Sequence, residues 1–292
     1  MPSGLSAPRR RFRVRYLLLG GALLVLLPFS PLLVFGIAGL ILPGVRTYSI
    51  PTSAMESSLF LGDYIVASSG SIVPARGMSI ILEFPGNRDQ TEPDLPQHYI
   101  ERCVAIAGDT VEIRNSVVRV NGVIEQPAAT VMFAPAFAAP TGNDAARTFP
   151  KGLGFTRDNW GPMRVPKKGD VIPIESGAIA LYQTFIRREG HTVELVGAAV
   201  HIDGQPASSY RVEQDYCFGL GDNRWNSSDS RYWGFIPYDA IIGTPSFVYW
   251  SWPTAVDRNN DRLANPYDPA EALSLWERIG AIRWGRMFRS IE

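Results

Sequence analysis

Hydroxyl and ionisable side chains gather in two stretches far apart in the chain. Residues 48–63 hold Thr52, Ser53, Ser57 and Ser58 around an alanine, Ala54. Residues 221–234 hold Asp222, Arg224, Ser227, Asp229 and Arg231. Hydroxyls set among a base and its orienting partners are the ingredients of acyl transfer, in which an activated oxygen attacks a carbonyl. Between the two stretches, Glu101 stands beside Arg102 in an otherwise apolar run. Three scattered histidines and two cysteines, Cys103 and Cys217, do not have zinc-site spacing, so neither metal nor cofactor is expected.

These residues need a β framework to meet. Short β-branched and aromatic runs alternate with Gly, Pro, Asn and Asp clusters, which predicts strands at 64–67, 79–84, 99–106, 110–113, 117–120, 179–181, 192–196, 216–220 and 246–250. Thr110-Val111-Glu112 with Asn121-Gly122 recurs 82 residues later as Thr192-Val193-Glu194 with Asp203-Gly204, the pattern of a repeated hairpin. An Ala-, Pro- and Gly-rich stretch, residues 125–162, reads as a surface insertion. Asp268-Pro269-Ala270-Glu271 carries helix-start chemistry. The segment after it places Leu275, Ile279 and Ile282 on one helical face. Arg278, Arg283, Arg286 and Arg289 follow with Trp276 and Trp284, a pattern that fits either a membrane-surface helix or packing on the β domain.

The formal net charge is zero, but it is unevenly spread. Residues 1–43 carry five arginines and no acid, and the remaining 249 carry 23 basic and 28 acidic side chains. Without a basic excess in the larger part, no nucleic-acid partner is expected. The uncharged run from Leu17 to Leu42 would span about 39 Å as a helix, enough to cross a bilayer and longer than a signal-peptide core. Arginines ahead of it place the rest of the chain on the outer face. Disulfides persist there, so Cys103 and Cys217 are either a pair or two buried thiols.

Three segments resemble bacterial type I signal peptidases, membrane-bound serine proteases with a Ser-Lys dyad. Tyr48-Ser49-Ile50-Pro51-Thr52-Ser53-Ala54-Met55 is similar to the family's nucleophile motif, in which a serine precedes the methionine; here that residue is Ala54. Tyr99-Ile100-Glu101-Arg102 is similar to the family's base strand, with Glu101 where the lysine is usual. Gly221-Asp222-Asn223-Arg224 through Trp233-Gly234 resembles the last motif, with Trp225 replacing an aspartate. Met78 in place of an acid and Ser57-Ser58 in place of Pro-Thr are further departures.

The resemblance implies a mainly β fold, an antiparallel β-sheet ectodomain with an inserted β subdomain, preceded by one transmembrane helix. It divides the chain into a basic stub (1–15), a transmembrane helix (16–43), a core (44–110 and 211–254), an inserted subdomain (111–210) and a C-terminal extension (255–292). It implies Thr52 as an oxyanion donor, Ser227 as a positioning hydroxyl, and an Asp229–Arg231 ion pair bracing the site. Tyr48, Ile50, Pro51, Met55, Leu59, Ile81, Tyr99 and Ile100 fall at or near the substrate pockets. With no hydroxyl at Ala54, no acyl-enzyme forms there. Ser53, Ser57 and Ser58 are displaced by at least one residue, which redirects a side chain away from attack geometry of roughly 3–3.5 Å. The eukaryotic branch of the family has histidine as base, but His98, three residues from Glu101 on a strand, faces the other side. The expected protein is a non-catalytic homologue that binds or scaffolds secreted or membrane partners. The alternative is an active signal peptidase with an introduced substitution or an unrecognised dyad. Its partners would be the lipid bilayer and either signal peptides or another membrane protein complex, at the bacterial cytoplasmic membrane with the β domain on the periplasmic side.

Overall fold

Turn formers punctuate this chain so often that most elements are strands. The computed structural model describes residues 29–87, 89–133, 144–255 and 272–291. The first strands are β1 (Val45–Ser49), β2 (Asp63–Ser69), β3 (Ser79–Glu83), β4 (His98–Ala105), β5 (Thr110–Arg114), β6 (Val117–Val120), β7 (Val123–Ile124) and β8 (Trp160–Arg164). Next come β9 (Val171–Pro173), β10 (Val193–Val196), β11 (Ala199–Ile202), β12 (Gln205–Pro206) and β13 (Ser209–Arg211). The last are β14 (Tyr216–Leu220), β15 (Ile236–Pro237) and β16 (Ile241–Ser251). The α-helices among the described residues are α1 (Ser30–Ile41), α2 (Ile179–Arg188), α3 (Ser230–Trp233) and α4 (Leu275–Gly280).

Seven strands form one antiparallel sheet in the order β1-β2-β16-β3-β4-β14-β15. The long central strand β16 pairs with β2 along most of its length and with β3 at Ile241 and Gly243, and its register slips three times. Each bulge adds local twist and bends the sheet. The curl carries edge strand β1 toward the start of β4, although three strands lie between them in the sheet. The rings of Tyr48 and His98 meet edge to face at 5.5 Å.

Side-chain alternation then assigns the layers. On β3, Ile81 joins Ile50, Met55, Leu59, Ile65 and Val248 beneath the concave side. Its neighbours Ile80 and Leu82 face the opposite layer with Cys103, Cys217, Trp233 and Ile236. Both cysteines are buried free thiols.

Residues between β4 and β14 build smaller sheets, β7-β6-β5-β8, β10-β11-β12 and β13-β9. Here the repeated motif appears as one device used twice. Asn121-Gly122 and Asp203-Gly204 both take positive φ, and each closes a turn between strands. The Asn121 side chain accepts from the Thr110 amide at 2.8 Å, and the Asp203 side chain accepts from the Thr192 amide at 2.9 Å.

Several expectations are revised. Residues 179–181, read as a strand, open the helix α2; Ile179, Phe185 and Ile186 recur at helical spacing and are buried along its inner face. β1 and β8 lacked a strong signal, because one contains Arg46 and the other Gly161-Pro162. Of the expected membrane helix, residues 16–28 lie outside the described residues; α1 covers Ser30–Ile41 of the remainder, and among the described residues no helix is long and apolar enough to cross a membrane. The helix start at Asp268 also lies outside the described residues. α4 is instead capped by Ser274 and Glu277 in a capping box and lasts six residues. Beyond it the chain lies against β16, the amide of Phe288 donating to the Val248 carbonyl at 2.7 Å and the amide of Val248 to the Arg289 carbonyl at 3.0 Å. Leu275, Trp276, Trp284 and Phe288 are exposed, whereas Arg286 is buried. Residues 275–289 are therefore not one continuous surface helix.

Candidate functional site

The curled sheet leaves a groove of about 1010 Å³ on its concave side. One wall is the loop between β1 and β2. This loop is pinned at its neck, where the Ile50 amide donates to the Asp63 carbonyl at 2.8 Å and the Gly62 amide to the Ile50 carbonyl at 2.9 Å. Gly62 permits this closure, since a Cβ there would sit 1.8 Å from the Trp252 carbonyl oxygen. Inside the loop a helical turn forms, with the amides of Ser58 and Leu59 donating to the Met55 carbonyl at 3.1 and 2.7 Å. The opposite wall is β4 with residues 225–228.

Buried ion pairs set the geometry behind the groove. Arg102 grips Asp222 through Nε at 2.7 Å and Nη2 at 2.6 Å, and donates to the Gly77 carbonyl at 2.6 Å. Burial alone would raise the Asp222 carboxyl, but the Arg102 guanidinium overrides it and holds the group below the usual carboxylate range. Asp229 caps α3 and accepts from Arg231 Nε at 2.8 Å and Nη2 at 2.6 Å, and from the Gly221 amide at 3.2 Å. Arg231 Nη2 also donates to the Arg224 carbonyl at 2.7 Å. The expected brace of Asp229 with Arg231 is thus present, both side chains being almost fully buried.

Gly221 sits where these parts converge. A Cβ on it would lie 2.2 Å from Ser227 Oγ and 2.6 Å from the Ala54 carbonyl oxygen, so only glycine lets the two walls meet. That carbonyl accepts from the Asn223 amide at 2.9 Å. Two of the neighbouring hydroxyls are engaged: Ser53 Oγ accepts from Asn226 Nδ2 at 3.0 Å, and Ser58 Oγ donates to Asp222.

Glu101 lies on this groove and is buried, 1% exposed. Burial foremost, then the Asp229 carboxylate, raises its carboxyl well above the ordinary range, with Arg231 opposing. Its Oε2 has no hydrogen-bond partner among the described residues, and the same holds for Ser227 Oγ. Ser227 Oγ makes no hydrogen bond to Glu101, and Arg102 and Arg231 are committed to Asp222 and Asp229. A buried polar atom left unsatisfied is costly, so two such atoms on residues that line the groove are candidate contacts for a ligand.

A sequence model of the signal peptidase family, peptidase S26, matches residues 23–250. The chain belongs to this family. Among its relatives, signal peptidase I of Helicobacter pylori strain J99 is 24% identical over 85% of this chain and 86% of its own. Signal peptidase I of Aquifex aeolicus is 27% identical over 70% of this chain and 76% of its own. That of Pseudomonas aeruginosa is 26% identical over 72% and 66%.

Within this signal peptidase family chain, the sequence-predicted residues fall into two groups. Tyr48, Ile50, Pro51, Thr52, Ala54, Met55, Leu59, Ile81, Tyr99, Ile100, Glu101 and Ser227 all line the groove. Asp229 and Arg231 do not; they stand behind it and hold its wall. His98 is exposed at the rim, away from buried Glu101. Sequence reading missed Arg147 and Arg157, which reach the groove from the insertion. Arg147 lies over the Tyr232 ring at 5.8 Å, and Arg157 donates to the Trp225 carbonyl at 3.1 Å. Neither arginine had a signal, since nothing in the local pattern ties them to residues 225–232.

Proposed function

We propose that this protein is a non-catalytic signal peptidase I homologue that binds an extended segment of a secreted or membrane protein in its groove. It would be anchored in the bacterial cytoplasmic membrane through the apolar run ending at Leu42, with the β domain on the extracytoplasmic side. The observation carrying this reading is the groove floor. The Ala54 side chain offers no oxygen and Glu101 no amine, while Ser53 and Ser58, two of the nearby serines, already have polar partners. A buried glutamate tends to neutrality, and so cannot stand in for an amine base. Recognition elements remain. β1 is an edge strand, available for an extended chain to pair with, and Thr52 is exposed at the groove.

Incubation with a preprotein bearing an Ala-x-Ala cleavage site tests the proposal. The unaltered protein is expected to leave the preprotein intact and to retain it in copurification. Ala54→Ser combined with Glu101→Lys is expected to restore cleavage, because the loop and ion-pair supports persist. Cleavage by the unaltered chain would overturn the reading in favour of an active signal peptidase.

A further inference from the structure

Glu101 is a buried acid with no salt bridge among the described residues. Arg102 holds Asp222 at 2.6 Å and Arg231 holds Asp229 at 2.6 Å, while Arg224 faces Glu125 at 3.7 Å and, like Arg231, only offsets part of the effect of burial on Glu101. Glu101 Oε2 and Ser227 Oγ are both buried and unpartnered among the described residues, and both line the groove. Ala54, which ends in a methyl group, lines the same groove. Asp229 cannot turn to a ligand, since Arg231 and the Gly221 amide occupy its oxygens.

We propose that the groove recognises a primary ammonium group on an extended peptide, which docks beside Ala54 against the Glu101 carboxylate and the Ser227 hydroxyl. The inference rests on the peptide-binding reading above and names the chemistry that the peptide brings. An ammonium carries three donors, suited to two acceptors that have none. It also brings a positive charge to a carboxyl that has no salt bridge among the described residues, and charge-assisted hydrogen bonds are the strong ones. The ammonium comes from a lysine side chain or from a peptide N-terminus.

Charged groups facing Glu101 are Asp222, Arg224, Asp229 and Arg231 from the 221–231 segment; β3 presents Ile80 opposite it, and β14 presents Gly219. In the empty groove burial raises the Glu101 carboxyl well above its ordinary range. Docking of an ammonium would draw it back toward the ionised form and release a proton to solvent.

The test uses the full chain in detergent micelles with extended alanine-rich peptides. One series carries lysine, norleucine or acetyl-lysine at a scanned position with a blocked N-terminus, and a second carries a free N-terminus without lysine. The lysine or free-amine peptide is expected to bind on the order of tenfold tighter than its neutral counterpart. Whichever series shows the preference identifies the source of the ammonium. In Glu101→Gln the preference is expected to fall to parity. Calorimetry in two buffers of different ionisation enthalpy should report one proton released by the unaltered protein. Equal binding of charged and neutral peptides overturns the inference while leaving the peptide-binding reading intact. Binding of no peptide overturns both. Should Glu101→Gln fail to fold, absence of proton release in the unaltered chain is still decisive against the inference.

Discussion

Replacing Glu101 by glutamine keeps the shape of a buried side chain and removes its titration. In the folded protein, burial first and Asp229 second hold the Glu101 carboxyl well above its usual range. Unfolded, the same group titrates near about 4.3. Between those two values the native state binds the extra proton, so stability declines as pH rises. The contribution is fully present below the unfolded value and lost once pH passes the folded one. The slope is about 1.4 kcal/mol per pH unit. For each pH unit above the unfolded value, up to the folded one, the unaltered protein should lose about 1.4 kcal/mol relative to Glu101→Gln. All other titrating groups are shared, so the difference between the two proteins isolates this one. The assay is urea unfolding of both chains in the same micelles from about pH 4 to about pH 8, extrapolated to zero denaturant. The unaltered protein should be relatively more stable at the acid end. Stability curves that run parallel across this range would show that Glu101 is ionised in the folded state, and the account of a neutral buried acid would fail.

Three further substitutions probe the supports. Asp229→Ala leaves Arg231 buried without its carboxylate and should cost about 3–5 kcal/mol, read by denaturant unfolding; a cost below about 1 kcal/mol would show that the pair is not desolvated. Gly221→Ala pushes a methyl into the Ala54 carbonyl, so it should destabilise by about 1–3 kcal/mol, and adding Ser227→Ala should not rescue it because the backbone clash remains. Arg286→Ala removes the guanidinium that donates to Asp63 at 2.6 Å and to the Ser58 carbonyl at 3.0 Å. Limited proteolysis should then cut within residues 50–63 faster than in the unaltered protein, and an unchanged rate would refute the clamp.

Much of the groove was legible because its residues lie in three continuous stretches whose types and order are distinctive. Residues 48–59, 99–102 and 221–234 each stay together in space, and the hairpin turns at Asn121-Gly122 and Asp203-Gly204 declare themselves through residues that accept positive φ. What escaped depends on long-range packing. Three apolar residues at 179–181 fit a strand as well as a helix, and only the spacing out to Ile186 separates the two. Arg286 looks like a surface arginine in sequence, yet its partner is Asp63. The missing partner of Glu101 is likewise invisible in sequence, since which arginine serves which carboxylate is settled only by the folded register of β4 and β14.

The clamp of Arg286 on Asp63 joins residues 223 positions apart. Arg286 also lies over the Phe60 ring at 3.9 Å, so one guanidinium both neutralises the neck of the groove loop and covers its apolar side. Contacts of such separation form late, because the intervening chain must first be ordered. During synthesis the ribosome must therefore deliver Arg286 before the loop wall of the groove acquires this cover. Until then, the loop at 50–63 is tethered at its neck but lacks this cover.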